Sequence, residues 1–249
     1  MSQADREQRA YWNSLASIDP DAAIIDPLDS RGHKNKYLAA IRNSAFLAAL
    51  KRRGIESGCL LDLGCGTGSS TRPLLDAGYT MLGVDIAADL LRHARARCGD
   101  QNCLFVAIDG KQLPLAPGTV DGVMVYVVLS YLVDDDQARA LLVSVRNAMK
   151  PGGSLIMIEQ ARTRRCVTEK GLKVQRTREE WQALLRSAGF SAERSSVLRH
   201  GRFPSTPLIA MGLVPRALWP MLRAAEAGIA AVTGVWPWDY AEVLFEARA

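Results

Sequence analysis

A chain of 249 residues with 48% hydrophobic and 23% charged residues has an ordinary globular composition, long enough for one buried core with decorations and short for two. Its five cysteines (Cys59, Cys65, Cys98, Cys103 and Cys166) are odd in number and lack CxxC spacing, which argues against a disulfide framework and against a zinc site. The start, Met1 to Arg9, is polar, and no uninterrupted apolar run of spanning length occurs, so the expectation is a cytoplasmic chain without a spanning helix.

Residues 1–30 are mixed and polar, and Pro20 and Pro27 break any long helix. Residues 34–52 place Tyr37, Leu38, Ile41, Ala45, Phe46 and Ala49 at helical spacing, closed by Lys51-Arg52-Arg53-Gly54. From Cys59 short apolar runs alternate with helical stretches, the pattern of βαβ units on a parallel sheet. Strands are expected over 59–63, 80–85, 103–108, 120–126, 153–159, 191–199 and 241–247, and helices over 69–77, 88–98, 135–149 and 178–188. Residues 203–238 interrupt the rhythm with Leu, Ala, Pro and Trp, including Trp219, Trp236 and Trp238, and fit two short helices broken at Pro215, Pro220 and Gly228. The chain thus divides into a helical segment 1–58, a core 59–202, an apolar insertion 203–238 and a last strand 239–249.

The net charge is +5, and the excess is uneven: Arg162, Arg164, Arg165, Lys170, Lys173, Arg176 and Arg178 are opposed only by Glu169. A solvated loop and helix start accounts for this run; so does a contact for an anionic substrate, a phospholipid surface or nucleic acid. No aromatic residue interleaves it, so a base-stacking surface is not supported and no DNA partner is expected.

In Leu60-Leu61-Asp62-Leu63-Gly64-Cys65-Gly66-Thr67-Gly68 an apolar strand ends in a Gly-rich turn before a helix. Glycine admits positive φ and lets a ligand approach the main chain, and a helix N-terminus suits a carboxylate. The third glycine comes one residue early for the GxGxxG of dinucleotide folds. The stretch Asp62 to Gly68 instead resembles the first motif of class I S-adenosylmethionine (SAM)-dependent methyltransferases, whose loop wraps the methionine part of SAM. Gly83-Val84-Asp85-Ile86 follows in the expected order, with an acidic side chain able to accept from two ribose hydroxyls. Ala107-Ile108-Asp109-Gly110 resembles the position that hydrogen-bonds the adenine amine; a turn Asp before Gly is the plain alternative. Val120 to Tyr126 and the following segment to Leu132, including Tyr131, resemble the strand and loop bordering the transferred methyl, and Met149-Lys-Pro-Gly-Gly153 is also typical.

The resemblance implies a Rossmann-like α/β fold: a seven-stranded, mostly parallel sheet with helices on both faces and an antiparallel last strand. It implies SAM as cofactor, S-adenosylhomocysteine as product, and Asp62, Gly64, Cys65, Gly66, Thr67, Gly68, Asp85, Ile86, Asp109, Gly110 and Tyr126 at the cofactor. In-line transfer then needs alignment, water exclusion and, for an oxygen nucleophile, a base. The base candidates are Glu159, His200 and His33, and no metal is required. In related methyltransferases an N-terminal helix closes over the cofactor as a lid, so His33 or Tyr37 in the 26–37 segment is expected to face the site.

The branch resembled acts on small molecules, and Arg31 to Tyr37 resembles methyltransferases encoded with glycan-building enzymes. A sugar, glycan or lipid-linked acceptor follows, with 203–238 either a flap for a hydrophobic acceptor or membrane surface, or a cover for the core. RNA or protein methylation and a catalytically silent SAM-binding protein stay open as alternatives.

Overall fold

A computed structural model describes residues 3–16, 26, 29, 31–99, 101–201, 203–233 and 240–249, with the backbone alone at 3–5 and 240. Pro20, Pro27, Trp236 and Trp238 lie outside the described residues, as do most of segment 17–30 and the end of the apolar insertion.

The elements in chain order are α1 (Gln3–Leu15), α2 (His33–Arg52), β1 (Cys59–Leu63), α3 (Thr71–Asp76), β2 (Thr80–Asp85), α4 (Ala88–Cys98), β3 (Cys103–Ala107), β4 (Val120–Tyr126), α5 (Asp135–Ala148), β5 (Met149–Arg162), β6 (Cys166–Thr168), β7 (Lys173–Thr177), α6 (Arg178–Ser187), β8 (Ser191–His200), α7 (Ser205–Ala210), α8 (Trp219–Thr233) and β9 (Tyr240–Arg248). Seven strands run in the order β3-β2-β1-β4-β5-β9-β8, all parallel except β9, which is antiparallel to β5 and β8.

Strand alternation sorts the core into two layers. Leu61, Leu63, Val123, Val125, Leu155 and Met157 face α5 and α6, where Leu141, Leu142, Val145 and Trp181 are buried. Leu60, Met124, Ile156 and Ile158 face the opposite way, onto Phe46, Ala49 and Leu50 of α2. Each fully buried side chain of this kind contributes about 1.5–3 kcal/mol relative to exposure, so a one-residue register slip is strongly opposed.

The strand bounds 59–63, 80–85 and 120–126 agree with expectation. A helix forms before Pro20, at Gln3–Leu15, within the segment 1–58 expected to be helical. Two features do not follow expectation. The basic run is not a plain loop: β6 and β7 form an antiparallel hairpin, and Ala161 and Arg162 of β5 pair in parallel with Arg176 and Thr177. β9 occupies the other edge of β5 as far as Arg162, so the hairpin continues the sheet beyond the end of β4. In the insertion, α8 runs through Pro220 and Gly228: proline in a first turn has no N–H that the helix needs, and one glycine costs only about 1 kcal/mol.

α6 starts at a capping box in which Thr177 Oγ1 accepts from Glu180 N and the Glu180 carboxylate accepts from Thr177 N, worth about 1 kcal/mol. β8 is parallel to β5, so the insertion leaves the sheet at its carboxyl edge, where open α/β folds bind ligands.

Candidate functional site

Two clefts open at that edge. The first spans about 1050 Å³ with its open mouth included and runs from Leu63, Gly64 and Gly66 past Asp85 and Ile86 to Ile108, Asp109 and Gly110. The second likewise spans about 760 Å³ and is lined by Lys34, Gln160, Lys173, Arg199, Thr206 and Glu242. Trp12, Tyr126, Val127 and Tyr131 line both.

Local rules shape the first cleft. Gly64 has φ +71, and a Cβ there would lie 2.3 Å from Val128 Cγ2, so only glycine fits. The loop's own donors hold its shape. Gly64 N and Cys65 N donate to Val84 O at 2.8 and 3.0 Å, and Gly66 N donates to Asp85 Oδ2 at 2.8 Å. These three main-chain groups are therefore engaged within the loop; the helix that follows, α3, begins at Thr71 and is six residues long.

Asp62 is buried and accepts from Ser70 Oγ at 2.8 Å and Thr71 Oγ1 at 2.6 Å, tying the strand end to the start of α3. Cys65 packs beside Leu91, Ala94, Cys98 and Phe105, and a Cβ on Gly68 would touch Ala94 and Cys98. Asp62, Cys65, Thr67 and Gly68 shape the loop without lining the cleft. Asp85 lines it; burial raises its carboxyl to about 6, although Ala87 N donates to Oδ1 at 2.8 Å. Asp109 is exposed at the far end, with Oδ1 closing a turn by accepting from Lys111 N at 2.8 Å.

The border between the clefts is strained and clamped. Val127 has φ 51, a left-handed conformation that costs a β-branched residue roughly 1–3 kcal/mol. Its N–H donates to Ile158 O at 2.9 Å. Glu159, fully buried, accepts from Leu129 N at 2.7 Å and Ser130 Oγ at 2.5 Å. Arg176 donates to Leu129 O at 3.2 Å and Leu132 O at 2.7 Å, and bridges to Asp135 at 2.6 Å. Hydrogen bonds from Arg165 outweigh the effect of burial, and together with Arg176 they hold Asp135 down at about 2.

The three base candidates are not brought together. Glu159 spends both oxygens on the turn at 129–131. His200 is buried, with Nε2 2.9 Å from Thr233 Oγ1, and burial lowers its pKa. His33 lies against Gly212, where a Cβ would come within 2.6 Å of the ring. Tyr37 packs on Trp219 with ring centroids 5.4 Å apart. None of the four lines either cleft.

Residues that the sequence did not single out do line them. α1 crosses the first cleft: Gln8 Nε2 donates to Tyr131 O at 3.0 Å, Arg9 to Ile108 O at 3.3 Å, and Trp12 meets Tyr131 edge-on at 4.9 Å. In the second, Glu242 Oε1 accepts from Tyr126 Oη at 3.2 Å, and burial raises the Glu242 carboxyl. The hint for Glu242 was a carboxylate, one of two with Glu246, in a largely apolar last strand; for α1 there was only a polar segment without a motif. Among the described residues no cluster of three or more His, Cys, Asp or Glu is placed to hold a metal.

Behind Tyr126 stands Arg42 of α2, 1% exposed, its guanidinium 5.0 Å from the ring centroid. Nη2 donates to Ser69 Oγ at 3.1 Å, while Nη1 is buried without a hydrogen-bond partner. Among the described residues no carboxylate forms an ion pair with it. Nε donates to Asn43 Oδ1 at 2.9 Å, and the charges of Asp62 and Glu242 offset part of the cost of burying the guanidinium. Arg42 itself lines neither cleft; the glycine turn and the Asp85 carboxylate, which do line the first, are the residues present that suit SAM.

Residues 60–153 match a family model described as a methyltransferase domain. A demethylmenaquinone methyltransferase of Tropheryma whipplei is 31% identical over 121 residues, covering 48% of this chain and 49% of that protein. The chain thus spans about half the length of that curated relative. A SAM-dependent methyltransferase structure from Leishmania major superposes with TM-score 0.68 at 16% identity, covering 99% of this chain and 83% of the other. The 1,6-didemethyltoxoflavin-N1-methyltransferase of Burkholderia thailandensis gives TM-score 0.63 at 18% identity, covering 100% and 91%. With the ordered motifs, the sheet topology and the glycine cradle, the match of residues 60–153 to a methyltransferase domain supports a class I SAM-dependent methyltransferase core.

Proposed function

We propose that this protein transfers a methyl group from SAM to an oxygen or nitrogen nucleophile of a small polar acceptor, leaving S-adenosylhomocysteine. The observation that carries the reading is the meeting of the two clefts at Trp12, Tyr126, Val127 and Tyr131. Asp85 and Asp109 would hold ribose and adenine, and Gly64 and Gly66 the methionine chain. When bound, the cofactor supplies a sulfonium-activated methyl carbon. The chain's own part is to align the acceptor, exclude water with α1, and take a proton.

Glu242 suits the last task. It lies in the acceptor cleft beside Tyr126, and its raised carboxyl is closer to neutral pH than an ordinary one. Lys34, Gln160, Lys173 and Thr206 supply donors and acceptors for hydroxyl or amine groups, and three aromatic rings supply a wall. Sugars and glycan headgroups, free or lipid-linked, fall within that class. The relatives named for demethylmenaquinone and for didemethyltoxoflavin support a small-molecule acceptor. Arg165, Lys173, Arg176 and Arg178 are engaged with Asp135, Glu169, Leu129 and Ser195, which weighs against RNA as the acceptor.

The test is turnover of methyl-labelled SAM against a panel of sugars, phenols, amines, lipid-linked glycans, RNA and protein. Label is expected on a small polar acceptor, with stoichiometric S-adenosylhomocysteine. Label confined to RNA or protein, or cofactor binding without transfer to any of these, contradicts the proposal.

A further inference from the structure

The insertion reverses the usual placement of polar and apolar residues on a surface helix. Its polar side chains point inward. Glu226, the only acid between 203 and 233, is 1% exposed; it accepts from Arg199 Nε at 2.8 Å and from Ser205 Oγ. Arg223 donates to Ser44 Oγ at 2.7 Å, and Thr233 is bound by His200. The outward side of α8 carries Met221, Ala224, Ala225, Gly228 and Val232, all exposed, Val232 to 88% and Met221 to 72%. Leu208, Met211, Leu213 and Leu218 extend this surface across α7 and the following turns. A helix face that shows water no charge is normally covered by something apolar.

The rim selects the cover. Arg31 donates to Met211 O at 2.8 Å and Arg216 lies 5.8 Å from the Trp219 ring centroid, so among the described residues two exposed arginines form a cationic border to this surface. A two-fold contact with a second copy would bring such a border against itself, whereas anionic phospholipid headgroups complement it. We propose that α7, α8 and the turns between them form a peripheral docking surface for an anionic lipid bilayer. The apolar side chains enter the headgroup–acyl boundary and the arginines contact phosphate. This claim does not depend on the chemistry assigned to the clefts. Among the described residues no helix is long and apolar enough to cross a membrane, so the contact is interfacial.

Co-sedimentation with phosphatidylcholine vesicles, with and without 30% phosphatidylglycerol (~30 mol%), tests it, with light scattering of the protein alone as the parallel measurement. The protein is expected to pellet with the anionic vesicles and to be released by salt. Leu213→Asp with Met221→Asp should abolish pelleting, and Arg216→Glu should weaken it about fivefold or more. Because these side chains are exposed, the variants should keep the wild-type thermal midpoint and their affinity for S-adenosylhomocysteine. Failure of the wild type to pellet, pelleting unchanged in the variants, or a wild-type dimer that the double variant dissociates without any vesicle binding would each overturn the proposal.

Discussion

Arg42 holds its guanidinium 5.0 Å from the centre of the Tyr126 ring, buried and with one nitrogen unpartnered, beside the loop that begins at Asp62. If that nitrogen is kept for the cofactor's carboxylate, Arg42→Met should weaken S-adenosylhomocysteine binding about 10–100-fold, the range for a charged hydrogen bond. Binding of 5′-methylthioadenosine, which lacks the carboxylate, should stay within about twofold. Calorimetric titration with both ligands checks this. Equal losses for both would assign Arg42 to the packing of Tyr126 instead.

Asp85 sets a pH dependence. Its carboxyl is raised by burial to about 6, and ribose hydroxyls favour the ionised form. Below pH 6 the free protein must lose a proton to bind, so S-adenosylhomocysteine affinity should fall by up to about tenfold per pH unit, with proton release measurable from the buffer dependence of the binding enthalpy. The sign for folding is opposite. A raised carboxyl in the folded state stabilises below the unfolded value and loses that contribution as pH rises through 6. Asp85→Asn should flatten the binding profile between pH 5 and 7 and weaken neutral-pH affinity about tenfold or more.

Glu242→Gln should lower turnover about 100-fold or more with an oxygen acceptor, while cofactor affinity changes less than about twofold. The pH–rate profile should lose its acidic limb. Glu159→Gln should behave differently: it disturbs the turn at Leu129–Tyr131, so the thermal midpoint should fall and cofactor affinity with it. A Glu159 variant that folds as wild type and loses only the acidic limb would return the base to Glu159.

We propose that α1, which crosses the first cleft, is the lid. Trp12→Ala removes the edge-on contact with Tyr131 and should speed dissociation of S-adenosylhomocysteine several-fold in stopped flow, with the thermal midpoint of the core little changed. An unchanged off-rate would make α1 a fixed part of the wall.

The glycine turn and the strand ends that shape the first cleft were legible because backbone requirements wrote them. Gly64 must be glycine where Val128 approaches, and Asp85 ends a strand whose alternation is plain. The second cleft was not, because its residues come from distant elements that only the fold assembles. Trp12 belongs to α1, Lys173 to the hairpin, Arg199 to β8 and Glu242 to β9. The expected bases do not line either cleft; at Glu159 the carboxylate accepts from Leu129 and Ser130, and burial marks a clamp as readily as a catalyst. The basic run was misread because three- and five-residue strands with charged side chains carry little apolar alternation.

The measurement closest to the central claim is calorimetric titration of the full chain with S-adenosylhomocysteine at neutral pH. One saturable site in the micromolar range is expected, lost in Gly64→Ala, whose Cβ would collide with Val128. Absence of binding to the wild type at millimolar ligand, or binding that Gly64→Ala leaves intact, would contradict the assignment of the first cleft.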